Sequence, residues 1–237
     1  MNKFSLEACK YDFTSDVINI FVMLYDYSGS MDRDEGAMRK ANKAFYDDFS
    51  KFEEKGSIAV AKGAFASYFV MSTFDSIKYF DTSYSANGGT KLYYAITAAK
   101  EFTIAYYNEL VKRLNVRPRV TFLVFTDGGD NESPEYYDKA KTAITELNSI
   151  DATTVLVAFR EAINYGLGEK MGFVCTKDIR TVNELISCMG TELSKSCKEQ
   201  SKSVYSLKSE FFSQADKNAE EDDVPNQEIK DDDFFDL

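Results

Sequence analysis

The sequence contains no histidine and no tryptophan among its 237 residues. Without an imidazole, the Ser-His-Asp and Cys-His pairs that activate many nucleophiles cannot form, and zinc sites that use histidine are excluded as well. Cysteine is scarce too: the four residues, none of them in a C-x-x-C pair, are Cys9, Cys175, Cys188 and Cys197. A four-thiolate zinc site stays open, but these spacings do not indicate one, and we expect free thiols in a reducing compartment.

Long hydrophobic runs are missing as well. The uninterrupted apolar runs all have fewer than ten residues, which is too short to span a bilayer. The N-terminal segment MNKFSLEACKYDF lacks the apolar h-region that a secretory signal needs. From these two absences we expect a soluble protein of the cytoplasm that does not enter a membrane.

Basic residues are fewer than acidic ones, and the acidic excess is concentrated at one end of the chain. The net charge is −11, and residues 216–237 hold ten acids against two lysines, so −8 belongs to that stretch and −3 to the rest. A body this close to neutral lacks the broad basic face that nucleic acids bind. We therefore do not expect nucleic acid as a partner.

Hydrophobic content falls after about residue 213, and we predict a disordered acidic C-terminal tail there. The chain is accordingly divided into an N-terminal lead (1–16), one domain (17–200), and the end of the last helix followed by the tail (201–237). The tail closes on an apolar tip of Phe234, Phe235 and Leu237. It could be a charged brush, dock on a second protein, mimic nucleic acid, or fold back and present Asp236 to the domain.

Hydrophobic periodicity predicts an α/β domain in which strands and helices alternate. Short β-branched runs indicate strands buried on both faces, and apolar residues at steps of three and four indicate helices. The predicted strands are 17–25, 119–125 and 152–159, with shorter candidates at 58–60, 67–74, 77–80 and 172–176, and the predicted helices are 31–55, 90–114, 134–149 and 181–197. This alternation is typical of a doubly wound, mostly parallel sheet flanked by helices, where ligands bind at the carboxyl ends of strands.

Small oxygen-bearing side chains follow two of these strands and one turn. The first strand runs into DYSGSM, with Asp26, Ser28 and Ser30, and the strand at 119–125 runs into TDGGDN, with Asp127. Thr90 follows the glycine turn SANGG at the start of a helix. If both strands are central and parallel, the five side chains open on one edge of the sheet. Such oxygens suit Mg²⁺, which prefers six oxygen ligands and keeps several waters.

Together these three segments resemble the metal-ion-dependent adhesion site of von Willebrand factor A (vWA) domains. The likeness covers about residues 17–195, and FTDGGDNES is most similar to small intracellular bacterial or phage members of the tellurite-resistance type. The resemblance implies a vWA fold and a site for Mg²⁺ (or Mn²⁺). The implied ligands are Asp26, Ser28 and Ser30, with both serines bound directly, Thr90 bound directly or through water, and Asp127 often bound through water.

The same resemblance implies a non-enzymatic module for protein–protein interaction. A partner's aspartate or glutamate would complete the coordination of the metal, and that partner could be an AAA+ ATPase or another subunit of a host or phage complex. The residues that we place on the rim facing the partner are Tyr27, Asn87, Gly88, Gly89, Gly128 and Asp130.

Other interpretations of the single residues stay open. Asp26, Ser28 or Ser30 could cap a helix, Asp127 could belong to a turn, and we expect Thr90 to cap its helix as well as to bind metal. The metal could also be purely structural and hold three loops together. A Mg²⁺-dependent phosphate-ester hydrolase is a further alternative.

Additional acids lie close to the predicted site, namely Asp32, Asp34, Asp130 and Glu132. They could form a second ion site, but their spacing agrees only partly with one. We favour a solvated acidic rim.

Overall fold

Six strands form one mostly parallel sheet. The structure, a computed structural model, describes residues 17–51, 57–202 and 211–212. In spatial order the strands are β3 (Phe69–Met71), β2 (Ile58–Phe65), β1 (Asn19–Asp26), β4 (Arg119–Thr126), β5 (Thr153–Phe159) and β6 (Cys175–Ile179). All neighbours pair in parallel except β2 and β3, which are antiparallel. The predicted α/β class is confirmed.

The most apolar strands lie at the centre of the sheet. Every residue of β1 and of β5 is buried, and so is every residue of β4 after Arg119. β1 pairs with β4 in a continuous register from Asn19 opposite Arg119 to Tyr25 opposite Phe125. The carboxyl ends of β1 and β4 therefore lie side by side.

Helices cover both faces of the sheet. On one face lie α1 (Glu35–Phe49), α6 (Val182–Ser187), a π-helical segment (Cys188–Glu192) and α7 (Leu193–Lys202). The other face is covered mainly by α2 (Leu92–Leu114) and α3 (Tyr137–Ser149). Successive side chains of β1 point to opposite faces, so Phe21 and Met23 join the α1 core while Ile20 and Val22 join the α2 core.

α1 follows the predicted apolar stripe, with Met38, Ala41, Phe45 and Phe49 all 0% exposed. The chain enters it through a 3₁₀ helix over Gly29–Asp34. The helix ends at Phe49, earlier than the predicted Lys55, and residues 52–56 lie outside the described part. Prediction from apolar spacing located the buried face correctly, but it could not place the end of the helix.

Three further elements differ from the sequence prediction. Residues 77–80, predicted as a possible edge strand, contain the 3₁₀ helix Ile77–Tyr79, which the Ser76 hydroxyl caps by accepting the Lys78 N–H. The strand expected at 172–176 is shifted to Cys175–Ile179, because Gly172 at φ +81° ends α5 (Leu167–Met171). That helix and α4 (Glu161–Tyr165) were not predicted, since each has only five residues.

The predicted last helix is confirmed, although it is not regular. Thr181 opens it with a capping box that includes Glu184. The π-helical segment follows at Gly190, where an added Cβ would lie 3.1 Å from the Ala44 Cβ. A glycine at this position lets the segment approach α1 closely.

The chain meets the sheet again after α7. Phe211 and Phe212 are 1% and 5% exposed and belong to the α1 core, so packing extends beyond residue 200. The N-terminal lead at 1–16 and the predicted acidic tail from residue 213 lie outside the described residues. Among the described helices, none combines the length and the apolar character needed to cross a membrane.

Replacing Phe45 with alanine tests the packing of α1. Its ring centroid lies 5.2 Å from that of Phe49 and 5.4 Å from that of Phe80. Because truncation removes fully buried surface and leaves a cavity, the free energy of unfolding should fall by about 3–5 kcal/mol in urea denaturation.

The control for Phe45→Ala is Tyr79→Ala. Tyr79 is 76% exposed, so its loss should change the free energy of unfolding by no more than about 0.5 kcal/mol. Equal, small effects of the two substitutions would contradict the packing described for α1.

Candidate metal centre

Two carboxylates lie where β1 and β4 end. Asp26 is the last residue of β1, and Asp127 directly follows β4. Asp26 is 0% exposed and Asp127 is 6% exposed. The parallel register of the two strands therefore brings both acids to one edge of the sheet, largely out of water.

The loop after β1 turns so that its hydroxyls reach Asp127. The Ser28 N–H donates to Asp26 Oδ1 over 2.8 Å. The hydroxyl oxygens of Ser28 and Ser30 are 3.0 Å apart, and the Ser30 hydroxyl donates to Asp127 Oδ1 over 2.8 Å. Ser28 stands at the N-cap of the 3₁₀ helix but its side chain makes no capping bond, so capping does not explain these serines.

Thr126 is a site residue that sequence reasoning missed. Its hydroxyl donates to Asp26 Oδ2 over 2.6 Å and accepts the Gly128 N–H over 3.3 Å. Both oxygens of Asp26 thus accept a hydrogen bond from the protein. A hydroxyl residue directly after an apolar strand was the available signal, and Thr126 was interpreted only as the first residue of the loop.

Thr90 completes the group from a third segment. It is 5% exposed and lines the same cleft as Ser30 and Asp127. The helix that it was expected to cap begins at Leu92, with Lys91 at the N-cap and no side-chain capping bond, so the capping role predicted for Thr90 is wrong. Its hydroxyl makes no hydrogen bond within the described residues, which leaves that oxygen available to a ligand.

The oxygen separations fit an octahedral cation. Two ligand oxygens at right angles around Mg²⁺, each about 2.1 Å from the ion, are about 3.0 Å apart. The Ser28–Ser30 oxygen pair, at 3.0 Å, has this spacing, and the Ser30 hydroxyl is in turn hydrogen-bonded to Asp127 Oδ1 over 2.8 Å. The described residues contain no group of three His, Cys, Asp or Glu side chains that could hold a metal, so a cation here would depend on hydroxyl oxygens.

The electrostatics of the site also favour a cation. Burial raises the pKa of Asp26 to about 6, although hydrogen bonds from Ser28 and Thr126 act in the opposite direction. Burial likewise raises the pKa of Asp127, against the effects of Ser30 and the Arg160 charge. Both carboxylates are thus held in a setting that disfavours their negative charge, which a bound cation would offset.

The glycine turn before Thr90 needs a glycine at position 88, and Gly89 leaves room for the side chain of Glu132. Gly88 has φ +81°, a left-handed conformation that favours glycine. An added Cβ on Gly89 would lie 2.0 Å from Glu132 Oε1. Gly88 also accepts the Gly29 N–H over 2.9 Å, and the Asn87 N–H donates to the Tyr27 carbonyl over 2.6 Å. The turn is therefore fastened by its backbone to the loop after β1.

A buried lysine of β2 holds the loop at residues 81–83, which leads to this turn. Lys62 of β2 is 8% exposed, and its ammonium donates to the carbonyls of Asp81 and Ser83, each over 2.7 Å. The Tyr84 hydroxyl donates to the Asp26 carbonyl. Sequence reasoning missed both residues, because a lone lysine in a strand and a loop tyrosine carry no local signal.

Two residues that were predicted for the partner-binding rim have other surroundings. Tyr27 is 8% exposed and its hydroxyl donates to the Ser83 carbonyl over 2.8 Å, so its side chain is not offered to a partner. Asp130 accepts hydrogen bonds from the backbone N–H groups of Tyr93, Glu132 and Ser133. Asn87 and Gly88 are exposed, and Gly89 and Gly128 are half-buried.

The nearby acids are largely engaged by the protein. Arg160 holds the carboxylate of Asp34, which is 3% exposed, through both terminal nitrogens. Glu132 Oε1 accepts the Ser67 hydroxyl over 2.7 Å. Asp32 is exposed, so the solvated acidic rim that we favoured holds for Asp32 but not for Asp34. These contacts do not assemble a second ion site.

A cleft of about 610 Å³ opens beside Ser30, Thr90 and Asp127. Its remaining walls combine aromatic and basic side chains, among them Tyr93, Tyr137, Tyr165, Arg33, Arg160 and Lys170. Tyrosine and arginine are enriched where proteins bind one another. The candidate metal centre thus stands at the end of an open, partly aromatic surface.

No protein-family model and no curated protein matches this chain. The chain is nevertheless similar to solved structures. SpaC, a pilus adhesin from Lactobacillus rhamnosus GG, aligns over 80% of this chain and 32% of its own, with 10% identity and a TM-score of 0.61. A von Willebrand factor type A protein from Catenulispora acidiphila aligns over 78% of this chain and 42% of its own, with 17% identity and a TM-score of 0.54.

A third structure, manganese-loaded TRAP from Plasmodium vivax, aligns over 74% of this chain and 73% of its own, with 16% identity and a TM-score of 0.52. The chain spans less than half the length of the first two proteins. At these identities the likeness shows the fold alone. The described part of the chain has the fold of von Willebrand factor A domains.

Proposed function

We propose that this domain binds a divalent cation, Mg²⁺ or Mn²⁺, and through it captures an aspartate or glutamate of a protein partner. The observation that carries the proposal is the chain of oxygens from Ser28 through Ser30 to Asp127, spaced at 3.0 and 2.8 Å. Thr90, whose hydroxyl makes no hydrogen bond to any residue that the structure describes, lines the same cleft. No enzymatic step is needed for this function.

The roles proposed for the ligands follow from their surroundings. Ser28, Ser30 and Thr90 offer hydroxyl oxygens that can bind the cation directly. Asp26 already accepts hydrogen bonds on both oxygens, so it suits a contact through water, as does Asp127 beside Ser30. When bound, the cation supplies positive charge and a directional open position for a carboxylate from outside.

The structural neighbours support this proposal in two respects. TRAP from Plasmodium vivax was crystallised loaded with manganese, and SpaC is a pilus adhesin. A metal and a binding role thus occur in other proteins of this fold. The complete ligand set and the likeness to tellurite-resistance members stay predictions for this chain.

A purely structural metal is the second candidate function. The Ser30–Asp127 hydrogen bond joins the loops after β1 and β4 directly, so the protein groups hold these loops together by themselves. If a cation only reinforced that link, its remaining positions would keep water that a carboxylate does not displace. The two functions therefore differ in whether the bound ion is accessible to a carboxylate.

Substituting Ser30 and Asp127 tests the metal site. Ser30→Ala and Asp127→Asn should each weaken Mn²⁺ binding by about 100-fold or more, as measured by isothermal titration calorimetry. Loss of a residue that only supports a ligand already costs up to about 100-fold in metal affinity, and loss of a proposed ligand should cost at least as much. Ser30 is exposed, so in EDTA the melting temperature of Ser30→Ala should stay within about 4 °C of the wild type.

Asp32→Asn is the matched control for charge. Asp32 is an exposed neighbour on the same rim, and its neutralisation removes the same charge as Asp127→Asn. It should leave Mn²⁺ affinity within about threefold, because exposed charges are screened. Equal losses for Asp32→Asn and Asp127→Asn would show diffuse attraction of cations and would refute the site.

Water proton relaxation distinguishes recognition from a structural metal. Mn²⁺ bound with an open position should carry exchangeable water, and glutarate, a carboxylate probe, should displace that water and lower the relaxation enhancement. Lys170→Ala, a change in the cleft wall outside the proposed ligands, should preserve the enhancement. A sharp fall in melting temperature in EDTA, together with no response to glutarate, would instead identify a structural metal.

A further inference from the structure

The first turn of α2 is capped by a different loop of the chain. The N–H groups of Tyr93 and Tyr94 donate to the side chains of Asp130 and Ser133, over 2.8 and 3.2 Å. The loop after β4, which also carries Asp127, thus supplies the acceptors that helix N-termini lack. This capping role accounts for the polar residues DNES, which the sequence suggested as a solvated rim or a second ion site.

Asn131 lies in the middle of this loop and contacts Thr90 on both sides. Its side-chain Oδ1 accepts the Thr90 N–H over 2.8 Å, and its backbone N–H donates to the Thr90 carbonyl over 3.1 Å. Glu132 adds a second backbone N–H to that carbonyl over 3.2 Å. Both peptide groups that flank the Thr90 side chain are therefore held by residues 131–132.

The peptide before Thr90 needs such a restraint. It joins Thr90 to Gly89, and a glycine allows rotation that other residues do not. The Gly89 N–H donates to the Ser67 hydroxyl over 2.7 Å, which fixes the preceding peptide but not this one. The Asn131 amide oxygen is what orients the N–H of Thr90, and with it the direction of the threonine side chain.

We propose that Asn131 is a positioning residue that sets where the Thr90 hydroxyl stands relative to Asp127. The inference deepens the proposed function and rests on it. Asn131 belongs to the loop that starts at Asp127, so one short segment both supplies a ligand and orients another that lies 41 positions from Asn131 in the chain. Asn131 itself is exposed, so its side chain contributes little burial to folding.

The test is a double-mutant cycle between Asn131 and Thr90, read as Mn²⁺ affinity. Asn131→Ala should weaken binding by about tenfold, the effect expected for a residue that orients a metal ligand. Thr90→Val removes the hydroxyl and should weaken binding at least as much. The double variant should bind within about twofold of Thr90→Val alone, because a positioning residue has no effect once its ligand is gone.

Two further variants separate positioning from general stability. Asn131→Asp keeps an acceptor for the Thr90 N–H and should retain affinity within about threefold. Asn148→Ala is the matched control, since Asn148 also bridges a backbone carbonyl, that of Gly172, and a hydroxyl, that of Thr154, at a distant place. It should leave Mn²⁺ affinity unchanged. Hydrogen exchange at the Thr90 amide should accelerate in Asn131→Ala and not in Asn148→Ala.

The outcomes separate this inference from the proposed function. If the wild type binds no Mn²⁺, the proposed function fails and the role of Asn131 fails with it. If the wild type binds Mn²⁺ and Asn131→Ala binds it equally well, only the positioning role is overturned. The same holds if the loss of affinity in the double variant is the product of the losses in the two single variants.

Discussion

The removal of two carboxylates from water at the ends of neighbouring strands is the constraint around which this edge of the sheet is built. Asp26 and Asp127 are 0% and 6% exposed, and within the described residues neither forms a salt bridge. Burial is a consequence of the strands themselves, since β1 and β4 are enclosed on both faces by helices. The hydrogen bonds that the two acids accept only partly offset this burial, and their pKa values stay raised.

Three segments far apart in the sequence converge on these acids, and their backbones are fastened to one another. The loop after β1 bonds to the glycine turn through Gly29 and Gly88, and the turn bonds back through Asn87 and Tyr27. Residues 131–132 bond in the same way to Thr90. Because these backbone bonds, together with the Asn131 side chain, set the positions, the hydroxyls are oriented before any ligand arrives, and this pre-organisation favours affinity.

The sequence predicted the parts of the fold and the site that depend on local pattern. Buried strands, the amphipathic stripe of α1 and the oxygens after two strands could all be read from residue spacing, and the sheet brings Asp26, Ser30 and Asp127 together as expected. The hydrogen bonds that hold the loops of the site in place could not be predicted. Lys62 and Asn131 act on residues 19 to 41 positions away, and their partners are backbone atoms that have no signature in the sequence.

The same reason explains the error at 77–80, whereas the strand predicted at 172–176 is shifted because Gly172, at φ +81°, ends α5. The segment IKYF has a strand-like composition, yet the Ser76 hydroxyl favours a 3₁₀ turn there, and a capping bond of this kind depends on backbone geometry. Prediction was reliable where burial on the sheet decided the structure, and unreliable where a single hydrogen bond did.

The neighbouring acids indicate why this edge suits a single ion. Asp34 is neutralised by Arg160, Asp130 is saturated by backbone N–H groups, and Glu132 is bound to Ser67. Each of these contacts takes a carboxylate out of competition for a cation, because an acid that already has its partners gains less from another. Asp26 and Asp127 also accept hydroxyl or amide hydrogen bonds, but burial outweighs these bonds and keeps their pKa values raised. Of the acids at this edge, the buried pair Asp26 and Asp127 is therefore left to attract a cation. A cation bound beside this pair would also lie next to the hydroxyls of Ser28, Ser30 and Thr90.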